Sequence, residues 1–110
     1  MTDLLIKKSS LDKEDLIKRL RVSGKIEMVI VSGFFTDNPK SPADILIVSD
    51  KLDKVVLGKT IKLIERDLGR DIKYAVFGVE DFRYRFTVYD KFVRDILDFP
   101  HEKILNRLGF

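Results

Sequence analysis

Two small residues, Ser32 and Gly33, follow an apolar run and precede a polar stretch that ends at Asp44. A Ser-Gly pair at a strand end can turn the chain sharply and leave backbone N–H groups facing an anion, the arrangement that cradles a phosphate. Asp44 adds one hard oxygen donor, and Asp37 and Asp71 are the carboxylates that could join it around a divalent cation. The same residues have plainer uses. An aspartate where a loop enters a strand caps a turn, and a Ser-Gly pair simply ends a strand. Phe34 and Phe35 come directly after the glycine. Two aromatics in a strand-end loop belong to a core or an interface, which makes them interface candidates, with a homodimer the simplest case and another protein partner the alternative.

Basic residues gather in two places. Lys18, Arg19, Arg21 and Lys25 follow one another with no acid between them, and Arg83 and Arg85 flank Tyr84. Four positive charges can hold phosphates, and base interleaved with aromatic suits a single strand of nucleic acid. The plain readings are a solvated, dipole-matched helix end for the first group and the polar side of a helix for the second. His101 is the sole histidine and the chain has no cysteine, which excludes disulfides, thiolate metal sites, cysteine nucleophiles and a multi-histidine zinc site.

The elements that must carry these residues can be read from spacing. A capping serine at Ser9, acids at Asp12, Glu14 and Asp15, and Leu16, Ile17 and Leu20 at helical spacing predict a helix from Ser9 to Leu20, closed by Lys18, Arg19 and Arg21 and broken at Ser23-Gly24. Ile26 and Met28 to Val31 form an unbroken β-favouring run, the pattern of a central strand covered on both faces. Turn formers fill the segment from Thr36 to Pro42, and Ile45 to Val48 predict a second buried strand. Leu57, Ile61, Ile64 and Leu68 place one apolar face on a helix from Leu52 to Leu68 that Gly69 stops. Ile72 to Phe77 predict a third strand, parallel to the second because a helix separates them. Phe82, Phe86, Tyr89, Val93 and Ile96 keep helical spacing, which predicts one or two helices from about Glu80 to Asp98. A last short helix is expected from Glu102 to Leu108, with Ile104, Leu105 and Leu108 inward.

From Val29 to about Gly109 this arrangement resembles the nucleotidyltransferase family, in a form found in small proteins and C-terminal to winged helices in some regulators. The resemblance rests on the strand ending in Ser32-Gly33, on Ser41-Pro42-Ala43-Asp44, on Leu68-Gly69-Arg70-Asp71-Ile72, on Glu80-Asp81-Phe82 and on the stretch from Asp90 to Leu97. In active members the first strand ends in Gly-Ser, an Asp-x-Asp pair follows, and a third carboxylate lies on the next strand. Together these hold the Mg²⁺ ions of a nucleoside triphosphate, whose transferring phosphoryl group they stabilise. Here the Gly-Ser is inverted, phenylalanines fill the following loop, Pro42 stands at the first carboxylate position and Asp44 at the second, and Lys73 stands at or next to the third, two residues from Asp71. A fixed positive charge in place of a ligand repels Mg²⁺.

The expected fold is thus α/β, a small mixed sheet of about three strands with flanking helices in two or three layers. One domain is expected over residues 1–110, made of an N-terminal helical segment (1–24) and a core (25–110). With 45% hydrophobic and 35% charged residues the balance is that of a globular chain, and a net charge of +3 with both signs dispersed permits nucleic acid without indicating it. Leu4, Leu5 and Ile6 run straight into Lys7 and Lys8, so neither a leader nor a membrane span is expected and the cytoplasm is the expected compartment. The resemblance implies a degenerate nucleotidyltransferase-like domain that serves as a binding or regulatory module and needs no cofactor. The alternatives are an active enzyme that modifies protein or RNA, using Mg²⁺ and a nucleoside triphosphate with Asp44 and Asp37 or Asp71 as ligands, and a nucleic-acid-binding regulator.

Overall fold

The computed structural model describes residues 12–110. Its centre is a pair of strands, β2 (Met28–Val31) and β3 (Ile45–Val48), in which every residue is buried. They run antiparallel, with Met28 opposite Val48 and Val31 opposite Ile45. Side chains alternate between the two faces of a strand, so an all-apolar run needs a cover on each side. One face presents Val29, Val31, Ile45 and Ile47 to Leu16 and Leu20 of α1 (Lys13–Arg21) and to Leu57, Ile61 and Ile64 of α2 (Lys54–Leu68). The other presents Met28, Ile30, Leu46 and Val48 to Phe82 of α3 (Val79–Thr87) and to Val93 and Ile96 of α4 (Lys91–Asp98). The result is three layers, helix pair, sheet and helix pair, and the helix before residue 24 shares a core with the strands that follow it.

Two outer strands complete the sheet in the order β5-β3-β2-β6. On one side β5 (Tyr74–Phe77) lies parallel to β3, as the intervening helix requires. On the other β6 (Glu102–Asn106) lies antiparallel to β2. This strand replaces the helix expected over Glu102–Leu108. The register slips between Val29 and Ile30, so that Val29 faces Leu105 and Ile30 faces Lys103, with Ile104 as the extra residue of a bulge. Ile104 and Leu105 therefore both pack against the face that carries α1 and α2. Two adjacent inward residues imitate a helical stripe, and the unpaired N–H and C=O groups of β2 decide the matter in favour of a strand. The sheet accordingly has a fourth strand, and β1 (Gly24–Lys25) with β4 (Lys51–Leu52) adds a separate antiparallel pair.

Capping explains most helix ends. Asp12 accepts from the Asp15 N–H at 2.8 Å and starts α1, so the first cap is Asp12; the expected cap Ser9 lies outside the described residues. Leu52 belongs to β4, and α2 starts where Asp53 accepts from the Val55 and Val56 N–H groups. It stops at Gly69, whose φ of 72° is the left-handed conformation that glycine adopts without strain. Between α3 and α4 the chain turns at Tyr89, which also has positive φ, and Asp90 caps α4. None of the helices in the described residues is long and apolar enough to cross a membrane.

Ile64 lies fully buried at the α2–sheet contact. Ile64→Asp is expected to unfold the protein, since an unpaired buried charge costs several kcal/mol, on the order of the whole stability. Loss of the cooperative melting transition in circular dichroism checks this; a variant that melts like the parent would place that face in solvent.

Candidate functional site

The turn after β2 is built around one carboxylate. Asp44 is buried, and its Oδ1 accepts from the Phe34 N–H at 2.7 Å while its Oδ2 accepts from the Lys73 N–H at 2.9 Å. Its backbone is held as well, the N–H donating to the Lys73 carbonyl at 2.7 Å and the carbonyl accepting from the Ser32 N–H at 2.8 Å. A single aspartate thus ties the end of β2, the start of β3 and the start of β5. Gly33 makes this possible. With φ of 55° it sits in the left-handed region, and a Cβ there would stand 2.2 Å from Asp44 Oδ1.

Residues 33–36 form one turn of 3₁₀ helix. It drives Phe35 into the core, fully buried among Val31, Ile45 and the α1 and α2 leucines and isoleucines. Phe34 is half-buried, with its ring 5.3 Å from that of Phe35 and the Arg70 guanidinium 4.5 Å above it. The Ser32 hydroxyl points away from any ligand: it donates within a buried network to Ser41 Oγ at 2.8 Å and lies 3.1 Å from the Pro100 carbonyl. The loop is thereby pinned to the connection between α4 and β6.

These contacts leave a cavity of about 340 Å³, lined among others by Gly33, Asn38, Asp44, Arg70 and Lys73. Several of the positions singled out in the sequence converge here. Gly33, Asp44 and Lys73 line the cavity, whereas Ser32 and Pro42 stand outside the lining. Asp37 also lines the cavity, in a left-handed conformation. Asp71 is exposed and is not part of the lining. Among the described residues no three histidine, cysteine or acidic side chains gather to hold a metal ion. Arg70 was missed as a site residue. The signal was present, a cation directly after the helix-ending Gly69 and directly before the segment that leads to β5.

The nucleic-acid candidates do not make one surface. Arg19 and Lys18 belong to α1 on one face of the sheet, Arg83 and Arg85 to α3 on the other. Several are already engaged. Arg19 pairs with Asp67 at 2.7 Å, Lys25 with Glu27 at 3.8 Å and Arg83 with Glu80 at 3.8 Å. Arg85 bridges Asp81 and Asp90 and lies 4.8 Å over the Phe77 ring, which braces the α3–α4 turn. Lys18 and Arg21 line a second cavity together with Glu14 and Asp15. His101 places Nδ1 2.9 Å from the Phe99 carbonyl.

No protein-family model, curated protein or solved structure matches this chain. What the site can do therefore has to be argued from its own groups. A carboxylate that accepts one backbone N–H on each oxygen keeps a further acceptor site on each, but its position is set by the turn it ties together. The remaining polar lining is the Asp37 carboxylate, the Ser41 hydroxyl, the Asn38 amide, and the cations of Arg70 and Lys73. The Lys73 side chain is exposed and forms no ion pair among the described residues.

Asp44→Ala is expected to lower stability by roughly 1–3 kcal/mol, because it takes the acceptor from the part-buried Phe34 and Lys73 N–H groups. Gly33→Ala should lower it by at least about 1 kcal/mol through strain at positive φ and collision with Asp44. Denaturant titration checks both. A midpoint unchanged in either variant would show that the turn does not depend on this contact.

Proposed function

We propose that the chain is a nucleotidyltransferase-like module that binds rather than transfers, its pocket holding an anionic group directly on cations instead of through metal ions. The observation that carries this is the commitment of Asp44 to two backbone amides, at the position where the resemblance puts a Mg²⁺ ligand. Nucleotidyl transfer stabilises charge on phosphoryl oxygens through metals, and a metal pair needs several hard oxygens converging on it. The residues present fit such a pair poorly. Pro42 offers no side-chain oxygen, Lys73 brings a positive charge, and Asp44 is tied down. The convergence of Gly33, Asp44 and Lys73 on one cavity supports the family resemblance. The replacement of its ligand chemistry supports a regulatory or binding role.

Arg70 and Lys73, with the Asn38 amide in the same lining, outnumber the carboxylate there besides Asp44, that of Asp37, and suit a phosphate-bearing or carboxylate ligand of modest size. Arg70 is held in place by its stack on Phe34 and by donation from its Nε to the Asp71 carbonyl at 3.3 Å, which leaves its outer N–H groups for a ligand. An active enzyme using Asp44 with Asp37 is the second reading. It needs a metal to be held by the remaining lone pairs of Asp44 and by Asp37, with the positive charges of Arg70 and Lys73 in the same lining.

Calorimetric titration with Mg-ATP and with pyrophosphate in chelator separates the two. The expected result is no Mg²⁺-dependent binding, and pyrophosphate binding that moves the Gly33, Asn38 and Lys73 amide resonances and weakens about tenfold in Lys73→Ala, the loss of one charge-assisted contact. Saturable binding of Mg-ATP that vanishes on chelation would instead favour the enzyme.

A further inference from the structure

The two edges of the four-stranded sheet, β5 and β6, are built differently. β6 carries the devices that keep an edge from pairing, with Glu102 and Lys103 inside it and a bulge against β2. β5 reads Tyr74-Ala75-Val76-Phe77, with no charge, proline or bulge. Its inner side is fixed by bonding to the β3 strand and its flanks. The Lys73 carbonyl accepts from the Asp44 and Ile45 N–H groups, and the Phe77 carbonyl accepts from the Ser49 N–H. Backbone groups of alternate strand residues point to opposite sides, so the N–H and C=O of Tyr74 and Val76 point outward. Among the described residues nothing pairs with them. Tyr74 is 40% exposed, and the rest of β5 is half-buried where β2 and β3 are buried throughout.

This edge is also polar along its length. Arg70 and Lys73 stand at its start. Glu80, with a side chain 90% exposed, and Asp81 stand at its end, on the first turn of α3. An incoming strand that meets β5 antiparallel matches these charges if its own polarity runs basic to acidic, and a second copy of β5 satisfies that by symmetry.

We propose that β5 pairs antiparallel with β5 of a second copy of this chain, joining the two sheets across a two-fold axis. In the register centred on Ala75, Tyr74 of each copy exchanges backbone hydrogen bonds with Val76 of the other. Lys73 then lies opposite Phe77 of the other copy, at the end of β5 from which the chain runs on to Glu80 and Asp81.

Sedimentation velocity over a concentration series, with amide hydrogen exchange, tests this on the full chain. A dimer is expected, with the Tyr74 and Val76 amides protected. Tyr74→Pro removes an outward donor at the first residue of an edge strand, where proline is tolerated, and is expected to give a folded monomer. Lys73→Glu, or Glu80→Lys with Asp81→Lys, should each raise the dimer dissociation constant about tenfold or more, and the three together should restore it, which damage to the fold would not do. A monomer at every concentration overturns the proposal. So does a dimer that none of these substitutions moves, and so does protection of both amides in a monomer, which would mean that the chain covers its own edge.

Discussion

The carboxylate of Asp44 is the point on which the candidate site depends. It joins three strand ends that lie apart in sequence, accepting from the N–H of Phe34 on one side and of Lys73 on the other. Neither amide has a ladder partner at the place where it sits, and a buried N–H without an acceptor is costly. Once Asp44 fills that role, Gly33 cannot carry a side chain, Phe35 is aimed at the core and Lys73 is held at the pocket rim. The geometry of the pocket follows from one side chain doing a backbone's work.

Around that point the stability of the domain is spread over two apolar layers. The alternation in β2 and β3 sends Val29, Val31, Ile45 and Ile47 to one helix pair, and Met28, Ile30, Leu46 and Val48 to the other. Each layer also takes residues from the peripheral strands. Neither layer is complete without residues from beyond Gly69, Ile72 and Leu105 on one face and Phe82, Val93 and Ile96 on the other.

What could be read in the sequence was what periodicity encodes. The buried strands, the long helix ending at Gly69 and the parallel relation of β3 and β5 all follow from spacing and from punctuation by glycine and proline. Where local pattern met a long-range demand, the pattern misled. Ile104-Leu105 looks helical because a bulge turns two neighbours inward, and bulges are set by the partner strand, here β2. Asp12 took over a cap that a serine also offers. At the site, the family resemblance brought Ser32, Gly33, Asp44 and Lys73 into view as a group, and Gly33, Asp44 and Lys73 line one cavity. That resemblance gave no sign that the oxygens of Asp44 accept from backbone amides, since that depends on where the start of β5 comes to lie. Arg70 escaped notice for a similar reason: its stack on Phe34 joins residues far apart in the chain.

The pairing of β6 with β2 has a kinetic consequence. β2 meets β3 across a short loop, but it meets β6 only after the whole of α2, β5, α3 and α4 has intervened. Loop-closure entropy grows with the length enclosed, so the β2–β3 pair closes early and the β6 contact late. During synthesis the apolar strand β2 therefore has one side unsatisfied until residues 102–106 leave the ribosome. In the finished protein, detaching β6 gives up its ladder with β2 and moves the Pro100 carbonyl on which the Ser32 hydroxyl rests, so an opening at that edge is felt at the turn that Asp44 organises.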